Sequence, residues 1–128
     1  MVSSAKFSTY KNLIVYQKSK LLAVDTIKYL SGSKYPKIHE FLIIQMLKTI
    51  TSVGANIAEG YGRHYRKSYR QFLSISRGSC FEFDYWLEVA IKLKKFNNDI
   101  LEDFKKRNNE IIKMLTVMMK NLEIKPQS

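Results

Sequence analysis

The chain has 128 residues, which fits a single domain. Gly and Pro number only five and two, so the sequence favours a few long elements over many short strands. The single cysteine, Cys80, excludes the internal disulfide framework of small secreted domains. No signal peptide and no apolar run near the roughly 20 residues of a membrane-spanning helix is visible, so we expect a cytoplasmic protein without membrane association.

Positive charge is concentrated in one part of the chain. The sequence carries 22 Lys and Arg against 11 Asp and Glu, for a formal net charge of +11. Residues 63–79 alone hold five basic and no acidic side chains. A cluster of this kind attracts polyanions and accelerates their encounter, but it carries no information about the fold.

The first predicted helix follows a flexible arm, residues 1–11, that lacks periodicity. It begins near Leu13 and ends at Ser31-Gly32-Ser33, where Gly32 suits a left-handed cap. The spacing of its apolar residues predicts one buried stripe. This stripe comprises Tyr16, Leu22, Ala23, Ile27 and Leu30.

The second predicted helix is opened by Pro36, whose missing N–H is not needed in a first turn, and is stopped by Gly60-Tyr61-Gly62. Gly54 interrupts it, and a close approach of a neighbouring helix would explain a glycine there. Its predicted apolar face consists of Leu42, Met46, Thr49, Val53 and Ile57, with Phe41 and Ile50 beside it.

The third predicted helix, residues 65–96, is the longest. Its apolar residues alternate four and three apart, a spacing typical of a coiled-coil seam: Phe72, Ser76, Ser79, Phe83, Trp86, Ala90 and Leu93. Ser76, Gly78 and Ser79 are small and favour close helix packing. Four further side chains fall outside this seam and suggest a self-association surface: Leu73, Cys80, Tyr85 and Leu87.

The fourth predicted helix, residues 100–123, follows an Asn97-Asn98-Asp99 cap. Its seam comprises Leu101, Phe104, Asn108, Ile111, Leu115, Met118 and Leu122. Four amphipathic helices joined by short turns predict an all-α, antiparallel up-and-down four-helix bundle over residues 12–123, with a short C-terminal tail, residues 124–128.

No catalytic pattern is found. The two histidines, His39 and His64, have no neighbouring metal-ligand pattern, and no cofactor or metal is expected. The segment Gly60-Tyr61-Gly62-Arg63 follows a helix and not a strand, so a helix stop explains it better than a phosphate loop. Glu59 and Glu82 could act as a carboxylate pair, but ion pairing with Arg63 and Arg77 is the simpler role.

The basic run at the head of the third helix is the main candidate site. Arg63, Arg66, Lys67, Arg70 and Arg77 could bind phosphates, since arginine forks bind them bidentately. Tyr61, Tyr65 and Tyr69 recur every four residues among these cations and could stack on unpaired bases. The alternative is a solvated helix face whose tyrosines pack across an interface.

Two segments resemble a known family. They are Asn56-Ile57-Ala58-Glu59-Gly60-Tyr61-Gly62-Arg63 and Phe72-Leu73-Ser74-Ile75-Ser76-Arg77-Gly78-Ser79. The family is that of the four-helix-bundle proteins encoded by intervening sequences in bacterial 23S rRNA genes. Leu13-Ile14-Val15-Tyr16-Gln17-Lys18 and Tyr35-Pro36 match its openings of helices one and two, so the resemblance covers about residues 12–122.

The resemblance implies a left-handed bundle that assembles into a ring-like homopentamer with a basic surface and no known enzymatic activity. A related branch serves diversity-generating retroelements as an accessory protein that binds nucleic acid and the reverse transcriptase. Seven positions match the family pattern, and they either hold helices two and three together or touch a ligand. They are Asn56, Glu59, Gly60, Arg63, Arg77, Gly78 and Ser79.

Two functions from different classes remain open at this point. The first is an oligomer that binds nucleic acid, RNA before DNA, through phosphate contacts with little readout of base identity. The second is a protein-interaction scaffold that recruits a partner such as a reverse transcriptase. An enzyme is not expected.

Overall fold

The computed structural model describes residues 9–123, and four long helices account for most of them. They are α1 (Ile14–Ser31), α2 (Glu40–Tyr61), α3 (Arg66–Leu93) and α4 (Asn98–Asn121), with short 3-10 turns at Tyr10–Asn12 and Lys37–His39. No strand occurs in this part of the chain. The predicted tail, and the predicted arm up to residue 8, lie outside the described residues.

The helices pack as an antiparallel four-helix bundle. Each contacts the preceding and the following helix, and α1 closes the bundle against α4. Side-chain contacts fix the antiparallel order, since Gly60 of α2 faces Phe72 near the start of α3. Further along the same pair, the hydroxyls of Ser52 and Ser79 lie 2.5 Å apart. The predicted fold is thereby confirmed for the single chain.

The core stripe of α1 differs from the predicted one. Its buried residues are Val15, Ser19, Leu22, Thr26 and Leu30, while Ile27 is 42% exposed. Two hydroxyl-bearing residues occupy core positions because each donates to a main-chain carbonyl four residues earlier. Ser19 Oγ lies 2.6 Å from the Val15 oxygen and Thr26 Oγ1 lies 2.7 Å from the Leu22 oxygen. These internal bonds satisfy the hydroxyls without water.

The α2 helix is the central core helix. Pro36 precedes a 3-10 turn, and the α-helix itself begins at Glu40. All five predicted seam residues and Ile50 are buried, but Phe41 is 56% exposed. By length and composition Lys37–Tyr61 could cross a membrane. In the bundle it packs between α1 and α3, as the core helix of a globular protein does.

The buried stripe of α3 is rotated relative to the prediction. Leu73, Cys80 and Leu87, which the sequence placed outside the seam, are fully buried. Three predicted seam residues, Phe72, Ser79 and Trp86, are only half-buried, and the last one, Leu93, is 38% exposed. Three of the four residues predicted to form a self-association surface are therefore core residues. Only Tyr85, 57% exposed, still supports it.

The α4 seam agrees with the prediction over most of its length. Its five residues from Leu101 to Leu115 are buried, and the last two, Met118 and Leu122, are half-buried. The side chain of Asn97 caps the helix by accepting from the Ile100 N–H at 3.3 Å. At the centre, Asn108 Nδ2 donates to the Cys80 carbonyl at 2.8 Å, joining α4 to α3.

The helix ends differ in one respect from expectation. Gly32 follows α1 with φ −95°, in the right-handed region, so the predicted left-handed cap is wrong. The left-handed cap instead lies after α3 at Lys94, with φ 55°. Nothing in the residue type indicated it, because glycine is the usual choice at such a position.

Candidate nucleic-acid interface

The five predicted phosphate-binding cations lie in one half of the bundle, in the turn before α3 and along the first half of that helix, and each has different surroundings. Arg63 lies in the turn before α3 and pairs with Glu59 at 2.6 Å, one turn back along the chain. Its guanidinium carbon also lies 4.8 Å from the centroid of the Phe72 ring. The predicted Glu59–Arg63 pair is present, and it neutralises one of the five charges.

Arg66 and Arg70 reach across to the end of α4. Arg66 donates from Nε to the Leu122 carbonyl at 3.4 Å and from Nη2 to the Asn121 carbonyl. Arg70 Nε donates to the Met119 carbonyl at 3.1 Å. The last carbonyls of a helix have no partner within the helix and carry its negative dipole end, so cations stabilise them. Both arginines are therefore capping groups of α4.

Arg77 also has contacts within the bundle. Its Nε donates to Thr116 Oγ1 on α4 at 2.8 Å, and its guanidinium carbon lies 5.0 Å from the Phe81 ring centroid. Arg77 makes no ion pair with Glu82, so the second predicted Arg–carboxylate pair is absent from residues 9–123.

Lys67 is the most available of the five cations. No carboxylate among residues 9–123 lies within ion-pairing distance of its amine. It lines an open groove of about 470 Å³ between the start of α3 and the end of α4. The groove is lined by Lys67, Arg70, Gln71, Ser74 and Glu123.

The composition of this groove suits an anion with one exception. Lys67, Gln71 and Ser74 are exposed and follow a spacing of four and three along α3, which places them on one face. An ammonium, an amide and a hydroxyl can all donate to phosphate oxygens. Glu123 opposes an anion at the rim. Gln71 and Ser74 were not among the predicted site residues, although their spacing from Lys67 places them on the same helix face.

Two of the three tyrosines predicted to stack on bases contact each other instead. Tyr61 and Tyr69 form an edge-to-face pair with ring centroids 5.9 Å apart. Burial, together with the neighbouring Tyr61, raises the pKa of the Tyr69 phenol above its ordinary value. Tyr65 alone remains open to solvent, at 75% exposure.

Two of the predicted structural-motif residues, Gly60 and Ser79, lie where α2 packs against α3. An added Cβ at Gly60 would lie 2.6 Å from the Phe72 Cβ, so only glycine fits without movement. Asn56 Nδ2 donates to the Ser52 carbonyl at 2.8 Å, and Ser52 in turn bonds Ser79. Glu59 carries the Arg63 pair.

Gly78 does not belong to this helix contact. An added Cβ there would have no heavy atom within 4 Å. The prediction that Gly78 permits close packing within the bundle is therefore wrong. Its neighbour Ser76 does pack closely, donating to the Val53 carbonyl at 2.9 Å.

The charge is uneven between the two halves of the bundle. The half that contains the groove, made of residues 9–20, 52–77 and 110–123, holds ten Lys and Arg against three Asp and Glu. The other half, residues 21–51 and 78–109, holds ten against eight. Much of the acidic charge there is paired, as where Lys105 lies 3.2 Å from Asp84 and 2.9 Å from Glu88. The Glu88 hydrogen bond is the main cause of the raised pKa of Lys105.

Groups that could support metal or nucleophilic chemistry are not brought together. Within residues 9–123, no three His, Cys, Asp or Glu side chains form a cluster that could hold a metal ion. Burial raises the pKa of the Cys80 thiol to about 12, which keeps it protonated near neutral pH. A protonated, buried thiol is a poor nucleophile.

Comparison with known proteins agrees with this fold and gives no activity. The family model described as "23S rRNA-intervening sequence protein" matches residues 11–117. A crystal structure of a protein of unknown function from the S23 ribosomal protein family of Bacteroides thetaiotaomicron is 30% identical. The similarity covers 84% of this chain and 99% of that one, with a TM-score of 0.74. No curated protein matches the chain.

Proposed function

This chain belongs to the 23S rRNA-intervening sequence protein family, and on that premise we propose that it is a non-enzymatic, oligomeric bundle that binds nucleic acid mainly through phosphate contacts. The observation that carries the proposal is the groove at Lys67 and Arg70, in the half of the bundle with ten basic and three acidic residues. RNA is the first ligand to test, with DNA second.

The phosphate-binding role is assigned unequally among the cations. Lys67 and Arg70 line the groove and are the principal ligands. Arg66 and Arg70 have five N–H donors each, and only two and one of these are used by α4 carbonyls. The capping bonds hold each guanidinium in place while other donors stay available. Arg63, paired with Glu59, contributes least.

The test is a fluorescence-anisotropy titration of a labelled structured RNA across a salt series. The variant Lys67→Glu/Arg70→Gln removes two groove cations, and Lys28→Glu/Lys34→Gln makes the same change in net charge at exposed sites in the other half. Two lost phosphate contacts should reduce the slope of log K against log salt by roughly 1.5. The control should change it little.

Charge reversal at Arg66 would uncap α4, and Arg70→Gln in the groove variant also removes a capping bond, the one to Met119. Lys67→Glu alone, which breaks no capping bond, is therefore measured beside the double variant. Melting curves of each variant separate loss of binding from loss of folding. If the wild type binds RNA and the groove variant and its control lose the same amount of affinity, the groove is rejected as the binding site. If neither the RNA nor a matched DNA duplex binds at low ionic strength, nucleic acid is rejected as the ligand. The scaffold function then remains, with a reverse transcriptase as a candidate partner.

Self-association is the second part of the proposal. Exposed aliphatic side chains lie on α1 and α2, among them Val24, Ile27 and Ile44 at 36%, 42% and 54% exposure. Beside them runs a groove of about 300 Å³ lined by small residues that include Gly54, Ala55 and Ala58. We propose that a second copy covers this face in a homopentamer. Light scattering should give five times the 15.0 kDa chain mass, and a monomer would reject it.

A further inference from the structure

Two exposed aromatic rings lie on α3 beyond the groove, and the proposed phosphate contacts do not use them. Phe81 is 50% exposed and Tyr85 is 57% exposed. They are four residues apart, so both project from the same side of the helix. The Arg77 guanidinium covers part of the Phe81 ring at 5.0 Å from its centroid.

The helix surface between the groove and these rings is unusually open. Ser74 and Gly78 lie there, both exposed, and Gly78 has no heavy atom within 4 Å of an added Cβ. A glycine inside an exposed helix costs about 1 kcal/mol relative to alanine. No contact within the bundle explains why a glycine stands at this position. A ligand that passes close to the helix main chain would explain it.

The cations and the rings form one continuous track. Lys67, Ser74, Gly78, Phe81 and Tyr85 follow one another at intervals of three, four or seven residues. They therefore lie on one face of α3, opposite its buried stripe. From Lys67 to Tyr85 this face is about 27 Å long at 1.5 Å per residue. No acidic residue occurs in residues 63–81. The first on α3 is Glu82, which is exposed, four residues after Gly78 and three before Tyr85, so one carboxylate lies beside the two rings.

The far end of the track is bounded by carboxylates. Beyond Tyr85 lies a second groove, of about 590 Å³, whose lining includes Glu88 and Glu102 as well as Lys92 and Lys105. Lys105 is already paired with Glu88. Phosphates are not favoured there, so the track ends at the aromatic rings.

We infer that the ligand of this face is a single-stranded nucleic acid that runs along α3. Its phosphates contact Lys67, Arg70 and Arg77, and its unpaired bases stack on Phe81 and Tyr85. The inference rests on the proposed function. Base stacking on an exposed side chain requires a free base face, which a single strand offers and an intact duplex does not.

Arg77 links the two kinds of contact. Its Nε is held by Thr116, and its guanidinium carbon lies over the Phe81 ring, 5.0 Å from the centroid. Half of the Phe81 side chain is still exposed and can contact a base. An arginine next to an aromatic ring adds a cation–π contribution to such stacking.

The experiment compares a labelled, unstructured 20-nucleotide RNA with the same sequence in a duplex, at fixed salt. The variants are Phe81→Leu and Tyr85→Leu, and the control is Phe41→Leu. Phe41 is exposed to nearly the same degree as Tyr85, and both rings contact Trp86 edge-on, at 6.5 and 4.9 Å between centroids. Phe41→Leu therefore also removes an aromatic neighbour of Trp86, but it leaves Phe81 and Tyr85 unchanged.

We expect each track variant to bind the single strand roughly tenfold more weakly and the duplex with unchanged affinity. Tyr85→Phe, which keeps the ring, should restore binding. Trp86, the only tryptophan, gives an independent signal because it touches Tyr85, and its emission should change on binding the single strand but not the duplex.

The inference and the proposed function fail in different ways. If the wild type binds both RNAs with a steep salt dependence and the track variants match Phe41→Leu, the single-strand inference is wrong and the phosphate groove stands. A single-stranded DNA of the same sequence shows which sugar is preferred. If neither RNA nor this DNA binds at low salt, the proposed function fails and the inference with it.

Discussion

Replacing glycine by alanine should lower the stability of the bundle at Gly60 and raise it at Gly54 and Gly78. Gly60 gives the strongest test. An alanine Cβ at Gly60 would lie 2.6 Å from the Phe72 Cβ and 3.2 Å from a Tyr69 ring carbon. The Phe72 Cβ is fixed to the main chain and cannot rotate away. α2 and α3 must therefore separate locally, which costs about 1–3 kcal/mol in a packed interface.

The helix propensity of alanine offsets part of that cost. It contributes about 1 kcal/mol relative to glycine inside a helix. Gly60→Ala should therefore destabilise the bundle by up to about 2 kcal/mol. Gly78→Ala meets no heavy atom within 4 Å, so it should gain most of the propensity term, about 0.5–1 kcal/mol. At Gly54 the nearest contacts are 3.8 Å or more, and a small gain is expected.

Urea denaturation at one fixed protein concentration measures all three variants, since an oligomer's apparent stability depends on concentration. The midpoints should shift in opposite directions with an unchanged slope, and melting temperatures by roughly 4 °C per kcal/mol. A Gly60→Ala variant as stable as Gly78→Ala would refute the close α2–α3 contact. A destabilising Gly78→Ala would mean that another molecule already packs on that face.

Three further predictions concern single sites. Lys94→Gly should stabilise the bundle by about 0.5–1 kcal/mol in thermal melts, because glycine adopts the left-handed cap without strain; an unchanged melting temperature would contradict this. Cys80 should resist thiol reagents at neutral pH until the bundle unfolds. Its raised pKa also means that the unfolded thiol ionises first, so stability should fall as pH rises above about 9, less steeply in Cys80→Ala. Asn108→Asp should destabilise by about 3 kcal/mol or more, since it buries a carboxylate next to the Cys80 carbonyl, whereas Asn108→Leu should cost far less in a urea titration.

The number, order and approximate bounds of the helices followed from the sequence, but the rotation of two of them did not. In α1 the core includes Ser19 and Thr26, whose hydroxyls donate to carbonyls four residues earlier. A hydropathy pattern treats such residues as polar and rotates the predicted stripe toward exposed neighbours such as Ile27. In α3 the prediction included Ser76, which is buried, but it placed Phe72 and Trp86 in the seam instead of Leu73 and Leu87. The α4 stripe was correct because one polar residue, Asn108, was recognised within an otherwise apolar repeat.

The sequence shows where the cations of the candidate site lie in the chain, but it does not show which groups each of them contacts. The acid-free segment 63–79 is visible in the sequence. The partners of its arginines are not, because Arg66 bonds a carbonyl 55 residues away and Arg70 one 49 residues away. The same limit applies to Phe81 and Tyr85, whose exposure depends on where α2 and α4 pack.

The arginines that cap α4 couple its last turn to whatever binds the groove. Arg70 holds the Met119 carbonyl through Nε, and a phosphate bound to its remaining donors would fix the same guanidinium from the other side. Holding the donor in place leaves fewer conformations in which the capping bond is broken. A ligand at the groove should therefore slow hydrogen exchange in the last turn of α4, although it touches no amide there. Displacement of the guanidinium would instead speed that exchange, so the sign of the change tells whether the arginine serves both partners at once or only one at a time.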